Sequence, residues 1–326
     1  MTEALLEISN LRTEFQTKAG ILPAVNDVSF TIGKGRVLGL VGESGSGKSV
    51  TGFSIIGLID KPGRIAGGSI RFKGEELVGK TERRMRSLRG DRISMIFQDP
   101  MMTLNPVLKI GTQMIECMLA HRQISKQDAR ERAREMLALV GISSPDERLD
   151  SYPHQFSGGM RQRVAIATAL LLEPDLVIAD EPTTALDVTI QAQILALVQK
   201  LVAARGTSLL WITHDLSVIS GLADDLAVMY GGRIVEQGPV GDVLSTPRHP
   251  YTVGLLGSIP SRNEPGRKLR QIPGSPPNVL NLPQGCPFQQ RCDRRRDDCQ
   301  TMPPPAAIDP LHMVRCHHPF GGPAHA

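Results

Sequence analysis

Eight consecutive residues carry the most specific chemistry in this chain: Gly42-Glu43-Ser44-Gly45-Ser46-Gly47-Lys48-Ser49, followed by Val50. They match the pattern GxxxxGK[ST], and the pattern has a physical logic. Glycines let backbone N–H groups converge on phosphate oxygens, and a helix beginning near Lys48 adds its positive end. Lys48 suits the β- and γ-phosphates and the Ser49 hydroxyl suits Mg²⁺. A second constellation follows the apolar run Leu176-Val-Ile-Ala179, where Asp180 and Glu181 place two carboxylates at a strand end. Asp180 suits the Mg²⁺ shell, and Glu181 could polarise an attacking water. An apolar run before Asp-Glu is common by itself. Downstream of a phosphate loop it points to nucleotide chemistry.

The elements that must position these residues are legible as alternating patterns. Residues 5–15 and 25–32 read as strands, the second with Val28, Phe30 and Ile32 alternating with polar residues. Residues 36–41 predict a strand, and 50–59 a helix beyond the glycine-rich turn. A strand over 65–72 enters a turn at Lys73–Gly74, and 93–97 is another short strand. From about 110 to 140 the pattern is helical, with Ala129, Ala133, Met136, Leu137 and Val140 on one face. A further helix over 157–172, a strand at 176–179, a helix over 190–203 and strands at 209–212 and 226–229 follow. Strands alternating with helices imply an α/β fold with a mainly parallel sheet covered on both faces. No internal repeat is apparent.

Composition sets bounds on what such a chain can be. Hydrophobic residues make up 40% and charged residues 21% of 326, the balance of a globular protein. The longest nearly unbroken apolar run, 164–172, is far short of the about 20 residues that cross a bilayer. The first ten residues lack the features of a signal peptide, so the expected location is the cytosol. From Leu244 onward ten Lys/Arg stand against five Asp/Glu, with 15 of the 24 prolines and four of the five cysteines. That break places a domain boundary near residue 240. The basic tail has neither a basic helix nor interleaved aromatics, so no nucleic-acid partner is expected.

Between the loop and the carboxylates lies Phe156-Ser157-Gly158-Gly159-Met160-Arg161-Gln162-Arg163, which resembles the ABC transporter signature. Met160 stands where Gln is usual, a departure shared with the peptide-importer branch. Gln98, in Ile96-Phe-Gln98-Asp-Pro100, resembles the Q-loop. Ala185-Leu186-Asp187 resembles the D-loop, and His214, in Ile212-Thr-His214-Asp215, the switch histidine. The order and spacing of these motifs identify residues 5–240 as resembling an ABC ATP-binding domain. The resemblance implies a P-loop NTPase core with an antiparallel β subdomain and an α-helical signature subdomain at about 100–170. It implies that Ser157, Gly158 and Gly159 grip the γ-phosphate of ATP held by a second subunit. It also implies that Gln98 contacts Mg²⁺ and the lytic water, that Asp187 lies at the dimer seam, and that His214 bridges Glu181 and the γ-phosphate. The family stacks adenine on an aromatic near the N-terminus. Phe15 is the candidate, although the insertion 17–22 displaces it and core packing is the alternative.

The tail continues the likeness. His249-Pro-Tyr251 followed by Leu255-Leu-Gly-Ser-Ile-Pro260 resembles the C-terminal extension of oligopeptide and dipeptide importer ATPases, here 241–326. Cys286, Cys292, Cys299 and Cys316 extend it, and some members of this branch bind a [4Fe–4S] cluster through such cysteines. The thiolates also suit Zn²⁺, and free thiols are a third reading, because five, six and sixteen intervening residues match no metal spacing by themselves. Cys117 reads as a core residue. The resemblance implies an ATP-hydrolysing subunit at the cytoplasmic face of the cell membrane, energising import of di- or oligopeptides. Its implied partners are two transmembrane permease subunits, a second, different ATPase chain and an extracytoplasmic substrate-binding protein. Another cargo (nickel, glutathione) and a non-transport ABC ATPase are the alternatives.

Overall fold

The computed structural model describes residues 3–183, 187–260, 263, 266, 271–277 and 279–321. Strands β1 (Ala4–Thr17) and β2 (Gly20–Gly33) open the chain, and β3 (Val37–Val41) leads through the glycine-rich loop into α1 (Lys48–Ile55). Then come β4 (Gly63–Phe72), β5 (Glu75–Glu76), α2 (Glu82–Leu88) and β6 (Ile93–Ile96). Helices α3 (Ile110–Leu119), α4 (Lys126–Leu139), α5 (Pro145–Leu149) and α6 (Gly158–Leu170) precede β7 (Leu176–Asp180). After α7 (Val188–Arg205) and β8 (Ser208–Thr213) follow α8 (Leu216–Ser220), β9 (Asp225–Tyr230) and β10 (Arg233–Pro239). The tail adds α9 (Val240–Ser245), α10 (Pro250–Gly257), β11 (Ala306–Asp309) and β12 (His312–Val314). The chain divides into two compact units.

One unit comprises Met1–Leu5, Ile32–Arg36 and Gly79–Trp211. Its strands β6 and β7 are parallel, with Ile96 opposite Ala179. Both are buried along their whole length, which explains their unbroken apolar runs. The helical stretch expected over 110–140 is two helices. The apolar stripe lapses at the polar residues 121–123, and the Ser125 hydroxyl restarts the helix by accepting the Asp128 N–H at 3.1 Å. The face read from the sequence is the buried one, with Ala129, Ala133, Met136, Leu137 and Val140 each 3% exposed or less. Cys117 on α3 is half-buried, not a full core residue, and burial raises its thiol pKa.

The other unit comprises Leu6–Thr31, Val37–Val78 and Ile212–Ala326. It contains a four-stranded sheet in the order β2-β1-β4-β5. β1 and β4 run antiparallel, as do β4 and β5. Elsewhere β3 pairs in parallel with β9, but β9–β10, β10–β12 and β12–β11 are all antiparallel. The four-stranded sheet is the antiparallel β subdomain that the resemblance implied, and the antiparallel strands beyond β9 add to the parallel β3–β9 pair. β9 and β10 form a tight hairpin through Gly231–Gly232, and two short strands from the tail extend it.

Candidate functional site

The loop between β3 and α1 takes its shape from close backbone approach. A Cβ on Gly42 would stand 2.2 Å from the Met229 carbonyl oxygen, and one on Gly47 2.3 Å from that of Ala24. Gly47 also has φ +102°, so no other residue fits there without strain. Lys48 begins α1, is 4% exposed, and folds back over the loop; its Nζ donates to the carbonyls of Gly42 at 2.8 Å and Glu43 at 3.0 Å. Ser44 and Gly45 form the exposed tip, while Ser49 and Val50 are half-buried on the first turn of α1. The Ser46 Oγ is buried with no hydrogen-bond partner among the described residues. An orphaned hydroxyl beside a buried ammonium fits a ligand bearing phosphate oxygens. His214 follows β8 as an exposed residue, and the next residue, Asp215, caps α8 by accepting the Ser217 N–H at 2.8 Å.

In the other unit the parallel pairing of β6 and β7 brings Gln98 and Asp180–Glu181 to one C-terminal sheet edge. Asp180 is 4% exposed. Glu181 adopts φ +44°, a left-handed backbone that a non-glycine residue rarely holds without purpose. Gln98 Nε2 donates to Glu181 Oε2 at a long 3.5 Å. Ser157 caps α6, its Oγ accepting the Met160 N–H at 3.3 Å, and Gly158 is exposed with it. Gly159 packs so that a Cβ would meet Ile190 Cγ2 at 3.1 Å, which seats the start of α6 on α7. Asp187 is exposed at the N-terminus of α7; Ala185 and Leu186 of the expected D-loop lie outside the described residues. Phe15, in the other unit, is half-buried opposite Gly63, its ring lying where a Cβ on that glycine would come within 2.5 Å.

The tail gathers Cys286, Cys292, Cys299 and Cys316 around one small recess lined also by Phe288 and His318. Gly285, at φ +84°, lets two cysteine segments touch, and the Cys286 N–H donates to the Cys299 carbonyl at 2.9 Å. The His318 N–H donates to the Cys316 sulfur at 3.3 Å, and the backbone at Phe288 and Arg294 favours the thiolate forms of Cys286 and Cys292 against burial. Burial pushes the Cys286 thiol up to about 11 and the Cys316 thiol up to about 12. Only a strong positive charge would ionise such thiols, and N–H donors converging on sulfur are the surroundings of metal-bound thiolates. Among the described residues the one group of potential ligands within 4.8 Å of one another is Asp298, Cys299 and His318. No three cysteine sulfurs are that close, whereas four thiolates on one tetrahedral zinc stand about 3.8 Å apart.

An ABC transporter family model matches residues 25–184, and a model of the oligopeptide/dipeptide transporter C-terminal region matches 235–299. The chain is 49% identical over 315 residues to the oligopeptide transport ATP-binding protein OppD of Salmonella typhimurium, covering 97% of this chain and 94% of that one. It is 49% identical over 316 residues to the dipeptide transport ATP-binding protein DppD of Bacillus subtilis, covering 96% and 94%. The chain belongs to the ABC transporter family, in its oligopeptide/dipeptide branch. A solved structure of the ATP-binding cassette MJ0796, dimeric and bound to ADP and Pi, aligns with a TM-score of 0.66 at 26% identity, covering 72% of this ABC protein and 98% of that chain.

Three residues around the loop of this ABC protein escaped the sequence reading of the site. Arg291 and Tyr251 bond to Glu43, Tyr230 braces Arg291, and Arg291 lies 248 positions from Glu43. Tyr251 and Arg291 belong to the stretches that resemble the importer-type extension, and nothing there tied either to the loop.

Proposed function

We propose that this chain is the ATP-hydrolysing subunit that energises an importer of di- or oligopeptides, held peripherally at the cytoplasmic face of the membrane by its partners. The observation that carries the ATPase reading is the buried Lys48 folded over a loop that leaves the Ser46 hydroxyl unpartnered. The peptide reading rests on the likeness of the tail as well as of the cassette. Residues 1–240 are the cassette, with the helical subdomain at about 100–170, and 241–326 the extension.

In this reading Gly42–Val50 wraps the phosphates, and Lys48 turns from the loop carbonyls to the β- and γ-oxygens. Mg²⁺ on Ser49, Gln98 and Asp180 would supply the positive charge that phosphoryl transfer needs. Glu181, held by Gln98 and by its own constrained backbone, orients the water, and His214 serves beside it. Ser157–Gly159 offers exposed helix N–H groups to the nucleotide of a second ATPase chain, and Asp187 belongs to the same seam. Phe15 serves the adenine. The dimeric state of the similar MJ0796 cassette supports such pairing, here with a different chain. Two permease subunits dock beyond Gln98, where Met102 and Val107 are 64% and 75% exposed, and a substrate-binding protein selects cargo outside. In the tail Cys286, Cys292, Cys299 and Cys316 hold a [4Fe–4S] cluster, which ties the segment together.

The test uses the chain in complex with its permease in proteoliposomes. Lys48→Ala abolishes nucleotide binding. Glu181→Gln keeps ATP binding but lowers hydrolysis by about 100-fold or more, the scale of lost water activation. Hydrolysis by Glu181→Gln at the wild-type rate would remove Glu181 from the mechanism, and hydrolysis that peptides never stimulate would remove the cargo assignment.

A further inference from the structure

Glu43 is an anion built into a loop meant for anions. Its carboxylate hangs one residue beyond Gly42, and any phosphate held by the loop N–H groups would meet both its charge and its competition. A carboxylate tethered to the loop is present at a high effective concentration. It would occupy the donors itself or repel the incoming phosphates.

The tail disposes of that carboxylate. Arg291 grips both oxygens, Nη1 to Oε2 at 2.7 Å and Nη2 to Oε1 at 3.0 Å. The guanidinium is itself fixed. Arg291 is 8% exposed, its Nε donates to the Pro273 carbonyl at 2.8 Å, and its Nη1 also reaches the Tyr230 hydroxyl at 3.3 Å. The Glu43 backbone is held as well, its N–H donating to the hydroxyl of the fully buried Tyr251 at 2.8 Å. Tyr230 and Tyr251 pack on each other with ring centroids 4.5 Å apart, so both hydroxyls stand on a rigid floor. Pro276 and Pro277 lie along the same stretch of loop, lining a recess with Glu43 and Ser46. A paired, two-point grip with every donor anchored is a positioning device rather than a surface ion pair.

We propose that Arg291 and Tyr251 are positioning residues of the nucleotide site. The C-terminal extension holds Glu43 by side chain and backbone, neutralises it, and keeps its carboxylate off the phosphate loop. The inference rests on the reading that Gly42–Ser49 binds nucleotide phosphate.

The experiment is binding of a fluorescent ATP analogue with Mg²⁺ to the purified full chain. Arg291→Met frees the carboxylate and weakens binding by about 10-fold, the scale of an unneutralised like charge near the phosphates. In the Glu43→Gln background the further change Arg291→Met alters binding by less than about threefold, since the competing charge is gone. A merely structural arginine predicts no such rescue. Unchanged binding in Arg291→Met overturns the proposal, and so does a loss that Glu43→Gln fails to restore. Should Arg291→Met not fold, Arg291→Lys keeps the charge without the fork and gives about a threefold loss, again restored by Glu43→Gln. A lysine variant indistinguishable from wild type overturns the proposal. Lys48→Ala separates the two readings: binding that survives it brings down the phosphate-loop reading itself. Binding that it abolishes while Arg291→Met leaves it intact brings down only this one.

Discussion

Glu236 has no exposed surface, yet it sits in the middle of β10. Its carboxylate accepts the Arg248 N–H at 2.6 Å, the His249 N–H at 2.8 Å and the His312 ring at 2.8 Å. One side chain thus satisfies the start of α10 and the strand β12, and so anchors the tail at two points. Glu236→Ala would strand two backbone donors and a histidine, at a cost of about 3 kcal/mol or more. Glu236→Gln, which keeps shape and one acceptor, should cost less than half of that. Denaturant unfolding followed by tryptophan and tyrosine emission checks both; an alanine variant with the wild-type midpoint would show that Glu236 anchors nothing. The residues of the nucleotide chemistry were readable because they come as contiguous motifs whose spacing is set by local backbone geometry. The anchoring of Glu236 and of the Glu43 carboxylate was not. Their farthest partners lie 76 and 248 positions away, and no local pattern distinguishes a glutamate that will be buried from one that will be solvated.

At the scale of elements, periodicity disclosed the buried strands β3, β6, β7 and β8 and the inner face of α4, because burial on both faces or along one stripe leaves a repeat in the sequence. It concealed the polar helix α2 and the short strands β11 and β12, which are too brief to show a period. The cysteine segments depend on a device of another kind. Gly285 has φ +84°, and a Cβ there would stand 2.3 Å from the Gln300 carbonyl carbon and 2.4 Å from the Cys299 oxygen. Gly285→Ala must push the two segments apart and break the Cys286–Cys299 backbone hydrogen bond. It should cost roughly 2 kcal/mol or more and lower any bound metal in proportion. Gly20→Ala is the control, with φ +126° but open space around it, and should cost only about 1 kcal/mol with metal content unchanged. Thermal melting with metal analysis of both variants separates crowding from backbone strain; equal effects would show that the close approach at Gly285 is unimportant.

At the scale of the whole chain, the composition break near residue 240 says that the tail differs from what precedes it, but not what the tail does instead of forming a core. Beyond α10 the described strands are four and three residues long, and few large apolar side chains are buried there, among them Phe288 and Val314. A segment so poor in core needs a staple, as small disulfide or metal domains do. Cys286 and Cys299 are buried and Cys292 and Cys316 half-buried around one recess, and the [4Fe–4S] cluster proposed above would be that staple. Anaerobic purification should therefore yield about four irons and four sulfides per chain, with absorption near about 400 nm. Cys316→Ser should lose them, although the cysteine lies beside β12 rather than beside the loop. Limited proteolysis supplies the second readout. The loaded chain should resist cleavage across 285–316, and the Cys316→Ser chain should be cut there while the cassette stays intact. Zinc in place of iron would keep the staple and replace the cofactor. A metal-free chain whose tail resists the protease would instead show that β10–β12 pairing and Glu236 hold the extension unaided, and the cluster assignment would fall.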